Sequence, residues 1–261
     1  EARTLPRRPE RGLGLSRTLE LKGVGYKYPN ASRPGLSDIN LTIRAGEKIG
    51  VVGTTGAGKT TLADIVLGLL SPSSGTLRAD GVAVTDDTLQ AWQQSVGYVP
   101  QDIFLVDASV SENIAFGVPD DAIDGARIAE ASRIAQIDAF VRSELPNGYQ
   151  THVGERGVRL SGGQRQRIGI ARAVYHNADL IVFDEATSAL DNLTERDVMA
   201  AIDALPGDKT VLMIAHRLST VKQCDRIVVL DQGRVVGCDT WDVLMTESAV
   251  FKRIAKLSEA A

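Results

Sequence analysis

An α/β core with a mostly parallel sheet, preceded by antiparallel strands and interrupted by an all-helical insertion, is the fold this sequence predicts. Three observations lead there. The continuous apolar runs LIVF, VLMIA and IVVL lie between residues 180 and 230, each bounded by polar residues, as parallel strands buried on both faces require. Upstream, KIGVVG runs into a glycine loop and then a helix-periodic stretch, the strand–loop–helix order of an α/β unit. Between them, from about residue 102 to 177, the pattern is helical, with breaks at Gly117-Val118-Pro119 and Pro146-Asn147-Gly148.

Taken in order, the chain opens on EARTLPRRPERGLGLSR, where Arg3, Arg7, Arg8, Arg11 and Arg17 are interspersed with Pro and Gly breakers. Residues 1–17 are poor as a fold element and good as a linker, with arginines suited to anionic lipid headgroups. The first residue is Glu1 rather than Met, so an excised or processed piece is expected, with one domain over 18–261. LKGVGYKYP and INLTIRAGEKIG alternate apolar and polar residues, as half-buried antiparallel strands do. A helix is predicted over 60–70, because Leu62, Ile65, Val66 and Leu69 fall at i, i+3, i+4 and i+7. TLRADGVAV reads as a hairpin turning at Asp80-Gly81, and SVGYVPQ as a short strand ending at Pro100-Gln101. Another helix is expected from Ser161, a suitable N-cap, with Ile168, Ile170, Ala171 and Val174 on its apolar positions. VLDQGRVVG reads as a second hairpin, and terminal helices follow from Trp241.

The chain has 261 residues, a net charge of −4, 43% hydrophobic and 24% charged residues, which is an ordinary globular composition. Mild acidity argues against a dedicated nucleic-acid binder, and no nucleic-acid partner is expected. Two cysteines, Cys224 and Cys238, lack metal-ligand spacing and read as free thiols in a reducing compartment. There is no apolar run approaching the ~18 residues that span a bilayer, and no signal peptide is visible; this piece is expected to be soluble by itself.

The strongest chemical signal is GTTGAGKT, Gly53 to Thr60, which matches G-x-x-x-x-G-K-[ST] between a strand and a helix. Gly53, Gly56 and Gly58 let backbone N–H groups curl around phosphates, with Thr54, Thr55 and Ala57 at the variable positions and Thr61 just beyond. Lys59 brings a point charge to β- and γ-phosphates, and the Thr60 hydroxyl suits Mg²⁺. DLIVFDE carries Asp184 and Glu185 to the tip of a buried strand, where open α/β sheets bind ligands. Asp184 is the candidate Mg²⁺ residue, through water, and Glu185 the candidate general base. His216 ends the next buried strand and is a candidate γ-phosphate contact; His152 and His176 have no comparable placement. Gln101 is placed to reach Mg²⁺ or the attacking water. Tyr28 and Tyr26 both offer an aromatic face to an adenine, and spacing alone does not choose between them.

RLSGGQRQRIGIARA, Arg159 to Ala173, poses a separate question. Gly162 and Gly163 allow close backbone approach, and a helix N-terminus with a hydroxyl attracts anions. Yet the stretch carries no lysine loop, base or histidine of its own.

These residues resemble the nucleotide-binding domain of ATP-binding-cassette (ABC) transporters, over about Leu19 to Lys256. The resemblance is carried by the phosphate loop, VPQ with Gln101, LSGGQ at Leu160–Gln164, LIVFDE, SALD at Ser188–Asp191, and His216. It implies a P-loop NTPase core with an inserted helical signature subdomain, Mg²⁺-dependent ATP hydrolysis, and two domains paired head to tail. Each ATP would then lie between one chain's Lys59 and its partner's Ser161, Gly162, Gly163 and Gln164. It also implies that Tyr28 is the adenine-stacking residue and that Asp191 reaches across the interface. THVGERG at 151–157 and IAHRLSTV look exporter-like, which implies a transmembrane domain in the same parent chain and a place on the cytoplasmic face of the inner membrane. His152 stands where an acidic residue is common, and Trp241 where histidine is frequent. VGYVPQDIFLVDASVSENIAFG resembles exporters of lipid-linked oligosaccharides or similar glycolipids. A soluble, non-transport relative would be expected to show tandem cassettes or coiled-coil insertions, and an importer subunit a different loop at 151–157.

Overall fold

The computed structural model describes residues 13–259 apart from residues 30, 155, 156, 158, 159, 189 and 216, with the last three positions described by backbone alone. Strands β1 (Thr18–Tyr26) and β2 (Leu36–Arg44) are antiparallel, and β3 (Lys48–Gly53) leads through the glycine loop into α1 (Lys59–Val66). Then come β4 (Ser74–Ala79), β5 (Val82–Ala83), α2 (Leu89–Gln93) and β6 (Val96–Val99). The helical stretch holds α3 (Val110–Ile114), α4 (Gly125–Ile134), α5 (Asp138–Glu144) and α6 (Gly162–Tyr175). The chain returns through β7 (Leu180–Asp184), α7 (Asn192–Asp203), β8 (Thr210–Ile214), α8 (Leu218–Val221), β9 (Arg226–Asp231) and β10 (Arg234–Asp239), and ends in α9 (Trp241–Glu247) and α10 (Ala249–Glu259).

Two sheets result. The antiparallel one has the order β2-β1-β4-β5; the other runs β10-β9-β3-β8-β7-β6, parallel throughout except for the edge strand β10. The period of two along each parallel strand explains why their apolar runs are unbroken. Leu180 and Val182 face the core that contains α1 and the antiparallel sheet, whereas Ile181 and Phe183 face the one that contains α6, α7 and the helical insertion. The same split recurs in β8 and β9, with Leu212 and Val228 on one side and Val211 and Val229 on the other. Each fully buried aliphatic or aromatic side chain of this kind contributes about 1.5–3 kcal/mol.

Both predicted hairpins are present. Asp80 and Gly81 take positive φ (49° and 86°), as do Gln232 and Gly233 (47° and 75°), the pattern that matches strand twist in a two-residue turn. The predicted helix over 60–70 is shorter than its periodicity suggests. Gly68, at φ 68°, ends it: Gly68 N–H bonds the Ile65 carbonyl at 3.0 Å and Leu69 N–H the Asp64 carbonyl at 2.7 Å. Leu69 therefore leaves the apolar stripe and is 59% exposed.

The tail arginines Arg3, Arg7, Arg8 and Arg11 lie outside the described residues. Residues 13–17 are docked on the domain: Leu15 is buried, and its N–H bonds the Asp179 carboxylate. The Asp80 carboxylate accepts from the Ser16 N–H and hydroxyl and from the N–H groups of Arg17 and Thr18, at 2.6–2.9 Å. Partial burial pushes this carboxyl up, but the Ser16, Thr18 and Arg17 bonds outweigh it and hold it at about 2. Because the folded pKa lies below the unfolded one, this anchoring is complete above about pH 4 and is lost as pH falls toward 2. Asp80→Asn keeps a side chain tolerant of positive φ and removes the charge. Tryptic cleavage after Arg17 is expected to accelerate in that variant at neutral pH; an unchanged rate would show that the remaining contacts of residues 13–17, such as Leu15 with Asp179 and the Arg17 carbonyl with Ala45 N–H, hold the segment without it.

Candidate active site

Strand β3 delivers the glycine loop to the carboxyl end of the parallel sheet, between β8 and β9. Gly58 occupies the N-cap position of α1 with φ 103° and no side-chain capping bond, so the helix presents its free N–H end to the loop. A Cβ on Gly58 would sit 2.6 Å from the Gly35 carbonyl, so only glycine fits. Gly56, at φ 78°, would meet nothing within 4 Å, because its Cα faces open space. Lys59 folds back over the loop and donates to the carbonyls of Gly53 at 2.9 Å and Thr54 at 3.3 Å. Burial lowers its pKa, and the carboxylates of Glu185 and Asp184 work against that.

An open cleft of about 340 Å³ lies beside the loop, lined by Tyr28, Thr55, Gly56, Gly58, Lys59, Thr60, Thr61 and Glu185 among others. The structure thus brings most of the predicted phosphate-site residues to one place. Gly53 and Ala57 are buried beneath it. Tyr28 is 40% exposed on the rim; its hydroxyl is 3.1 Å from Thr61 Oγ1, and its ring stands edge-on to Tyr26 with centroids 4.9 Å apart. Tyr26 packs against the core, so Tyr28 offers the accessible ring.

Asp184 ends β7 and accepts from the Tyr98 hydroxyl at 3.3 Å. Burial, with Asp184 and then Asp64 nearby, pushes the Tyr98 phenol up to about 12, so it remains a donor. Glu185, the next residue, has φ 53°, uncommon for a residue with a side chain. Its N–H bonds the Ile214 carbonyl at 3.0 Å, and its own carbonyl accepts from the Ser188 N–H and hydroxyl. Such backbone costs of order 1–3 kcal/mol and persists where neighbours over-determine it, a pattern concentrated at functional sites. Here it turns the Glu185 side chain into the cleft.

The donors suit a hard divalent cation. Among the described residues no three His, Cys, Asp or Glu side chains cluster as a metal site. The Thr60 hydroxyl, the Gln101 amide and the Asp184 carboxylate are few oxygen donors, matching Mg²⁺, which keeps waters and phosphate oxygens in its shell. Gln101 follows β6, whose last pair sets Val99 opposite Phe183; it is exposed and is not among the residues that line the cleft. His216 lies outside the described residues.

Ser161 to Gln164 do not line the cleft. Ser161 caps α6 in a capping box: its Oγ accepts from Gln164 N–H, and Gln164 Oε1 accepts from Ser161 N–H. Both glycines also serve packing within the chain, since a Cβ on Gly163 would lie 2.2 Å from Thr194 Cγ2 and one on Gly162 2.9 Å from Leu190 Cδ2. Asp191 caps α7, accepting from Leu193 N–H, Thr194 N–H and Thr194 Oγ1. The bonds from the Thr194 N–H and hydroxyl hold its carboxyl below the usual range. Sequence reasoning missed Tyr98, because pairing between neighbouring strands leaves no trace in the sequence. It also missed Gln166, which does leave one: a polar residue on the buried stripe Gly163, Gln166, Ile170, Ala173.

A family model described as "ABC transporter" matches residues 36–188. The chain is 41% identical over 243 residues to an ATP-dependent lipid A-core flippase of Cupriavidus pinatubonensis, covering 93% of this chain and 41% of that one. It is 43% identical over 244 residues to the β-(1→2)glucan export ATP-binding/permease protein NdvA of Agrobacterium fabrum, covering 94% and 41%. Among solved structures, a bacterial Atm1-family ABC exporter with ATP bound matches with a TM-score of 0.85 at 35% identity, over 98% of this chain and 44% of that one. The chain thus spans about two fifths of the length of these curated relatives.

Proposed function

The chain belongs to the ABC transporter family, and from that premise we propose that it is the ATP-hydrolysing motor of a membrane exporter, working as a head-to-tail pair. The observation that carries this is the half-built cleft: a lysine loop, an acidic strand tip and an aromatic rim on one side, with the capped N-terminus of α6 elsewhere on the chain. A second copy, turned about a two-fold axis, would bring its Ser161, Gly162, Gly163 and Gln164 to that open side. Ser161 Oγ accepts within its own cap, which leaves its proton to donate outward to a γ-phosphate oxygen.

In the closed pair, Lys59 would exchange its carbonyl partners for β- and γ-phosphate oxygens, and the N–H groups at the start of α1 would hold the phosphate chain. Glu185 would orient a water in line with the γ-phosphorus and take its proton as the water oxygen bonds phosphorus and the bond to the β–γ bridging oxygen breaks. Mg²⁺, held from Thr60, Asp184 and Gln101, would supply positive charge at the β- and γ-phosphates. His216 is proposed as a further γ-phosphate contact, and Asp191 as a residue at the dimer interface.

The membrane-spanning partner is proposed to meet the helical side, where Phe104 and Phe116 are 62% and 45% exposed and His152 bridges Ser109 next to α3. Among the described residues no helix is long and apolar enough to cross a membrane. The flippase and glucan-export relatives support a lipid or glycan cargo, moved from the cytoplasmic face of the inner membrane.

A pair that shares its sites predicts hydrolysis per mole of protein that rises with protein concentration and then saturates. Phosphate release across a dilution series tests this; a rate per mole independent of concentration, in protein shown to be monomeric, contradicts it. Tyr28→Ala is expected to weaken ATP binding about two- to tenfold, since aromatic stacking contributes roughly 0.5–1.5 kcal/mol. A larger loss from Tyr26→Ala, by titration calorimetry, would assign the stacking to the other ring.

A further inference from the structure

Helix α6 grips the segment after β6 at two points. Gln166, 3% exposed, donates its amide N–H groups to the carbonyls of Pro100, at 3.1 Å, and of Gln101. One turn on, Gly169 lets the helix close on the same segment: a Cβ there would lie 2.5 Å from Ile103 Cδ1 and 3.5 Å from Val99 Cγ1. Both partners of Gln166 are carbonyls, which fixes the orientation of its amide, because only the nitrogen end can donate.

The other end of that amide gives the second observation. Gln166 Oε1 is buried without a hydrogen-bond partner. An orphaned buried acceptor is destabilising, a cost that an apolar side chain of the same shape would avoid at that end of the amide while leaving the two carbonyls without their donor. What Gln166 supplies that such a side chain would not is its pair of donors.

We propose that Gln166 is a positioning residue for Gln101, tying the loop that carries Gln101 to the helix that begins with Ser161–Gln164. The tie runs through the backbone, so it sets where the Gln101 side chain emerges without touching phosphate or metal. It makes the loop and the helix move as one body. The positioning of Gln101 acts within one chain; it rests on the cleft being a nucleotide site, as proposed above, and not on the head-to-tail pair.

The test uses Gln166→Met, which keeps length and burial but has no donor, and Gln166→Glu, which sets a carboxylate against the two carbonyls. Both are made in the Glu185→Gln background, so that ATP persists. The readouts are Mn²⁺ affinity of the ATP complex by paramagnetic resonance, and hydrogen exchange of the amides at 101–103. Loss of a hydrogen-bonded tie should weaken Mn²⁺ binding about three- to tenfold. Exchange at 101–103 should accelerate, while metal-free ATP affinity stays at its reference value and the Gln166→Met melting temperature falls by no more than a few degrees. A folded Gln166→Met protein with unchanged Mn²⁺ affinity, or with unchanged exchange at 101–103, overturns the assignment. Failure of both variants to fold would make Gln166 a packing residue and overturn it equally. Both readouts report on Gln101 and on the metal of one chain's own cleft and require no dimer, so a Glu185→Gln protein that never dimerises would defeat the paired site and leave this result standing.

Discussion

Lys59→Ala is expected to abolish ATP hydrolysis, with kcat reduced by at least about 10²–10³-fold, the loss seen when one preorganised electrostatic contact to a developing charge is removed. Lys59 is the cation that the loop itself supplies to the cleft, and its ammonium already lies over the loop, bonded to the Gly53 and Thr54 carbonyls. No rearrangement of the backbone is needed to present it. The substitution should leave the fold intact, because Lys59, although buried, is held by hydrogen bonds to the loop carbonyls, while Leu62, Ala63, Ile65 and Val66 supply the apolar packing of α1. Lys59→Arg keeps the charge but spreads it over a planar fork, so it should restore little. Phosphate release at saturating ATP, alongside a melting curve, checks both points. Near-normal turnover by a folded Lys59→Ala protein would mean that this loop is not the catalytic phosphate site.

Much of the fold was legible in the sequence because its signals are local. The unbroken runs of β7, β8 and β9, the turns at Asp80-Gly81 and Gln232-Gly233, and the Ser161 cap each need only a few neighbouring residues. The end of α1 was misjudged because Leu69 continued the apolar period, while the left-handed Gly68 took precedence over it. The cleft was legible in part: the glycine loop announces itself by pattern, and Asp184 and Glu185 by ending an apolar strand. The rest depended on long-range placement. The link from Tyr98 to Asp184 crosses between strands 86 residues apart in sequence, and the anchoring of Ser16 on Asp80 spans 64. The glycines of LSGGQ were expected to admit a phosphate. Their close contacts with Leu190 and Thr194 show that packing within the chain also requires them.

Glu185→Gln carries the largest consequence for the paired site. The amide keeps the size of the side chain and its backbone geometry at φ 53°, but cannot take a proton from water. Loss of general-base assistance should lower hydrolysis about 10²–10⁴-fold. The phosphate contacts through Lys59 and Thr60 and the partner's Ser161 remain, so closure should still occur and should persist. In the unaltered protein, hydrolysis would remove the γ-phosphate that bridges the two chains and reopen the pair.

Size-exclusion chromatography of Glu185→Gln, with and without saturating ATP, therefore reads the shared site most directly. The paired arrangement predicts a monomer without ATP, a dimer with it, and loss of that dimer when Ser161→Arg is added, because arginine at the exposed cap of α6 blocks the approach to the partner's phosphate. A Glu185→Gln protein that stays monomeric at saturating ATP, or a dimer that survives Ser161→Arg, would contradict a site shared between two chains.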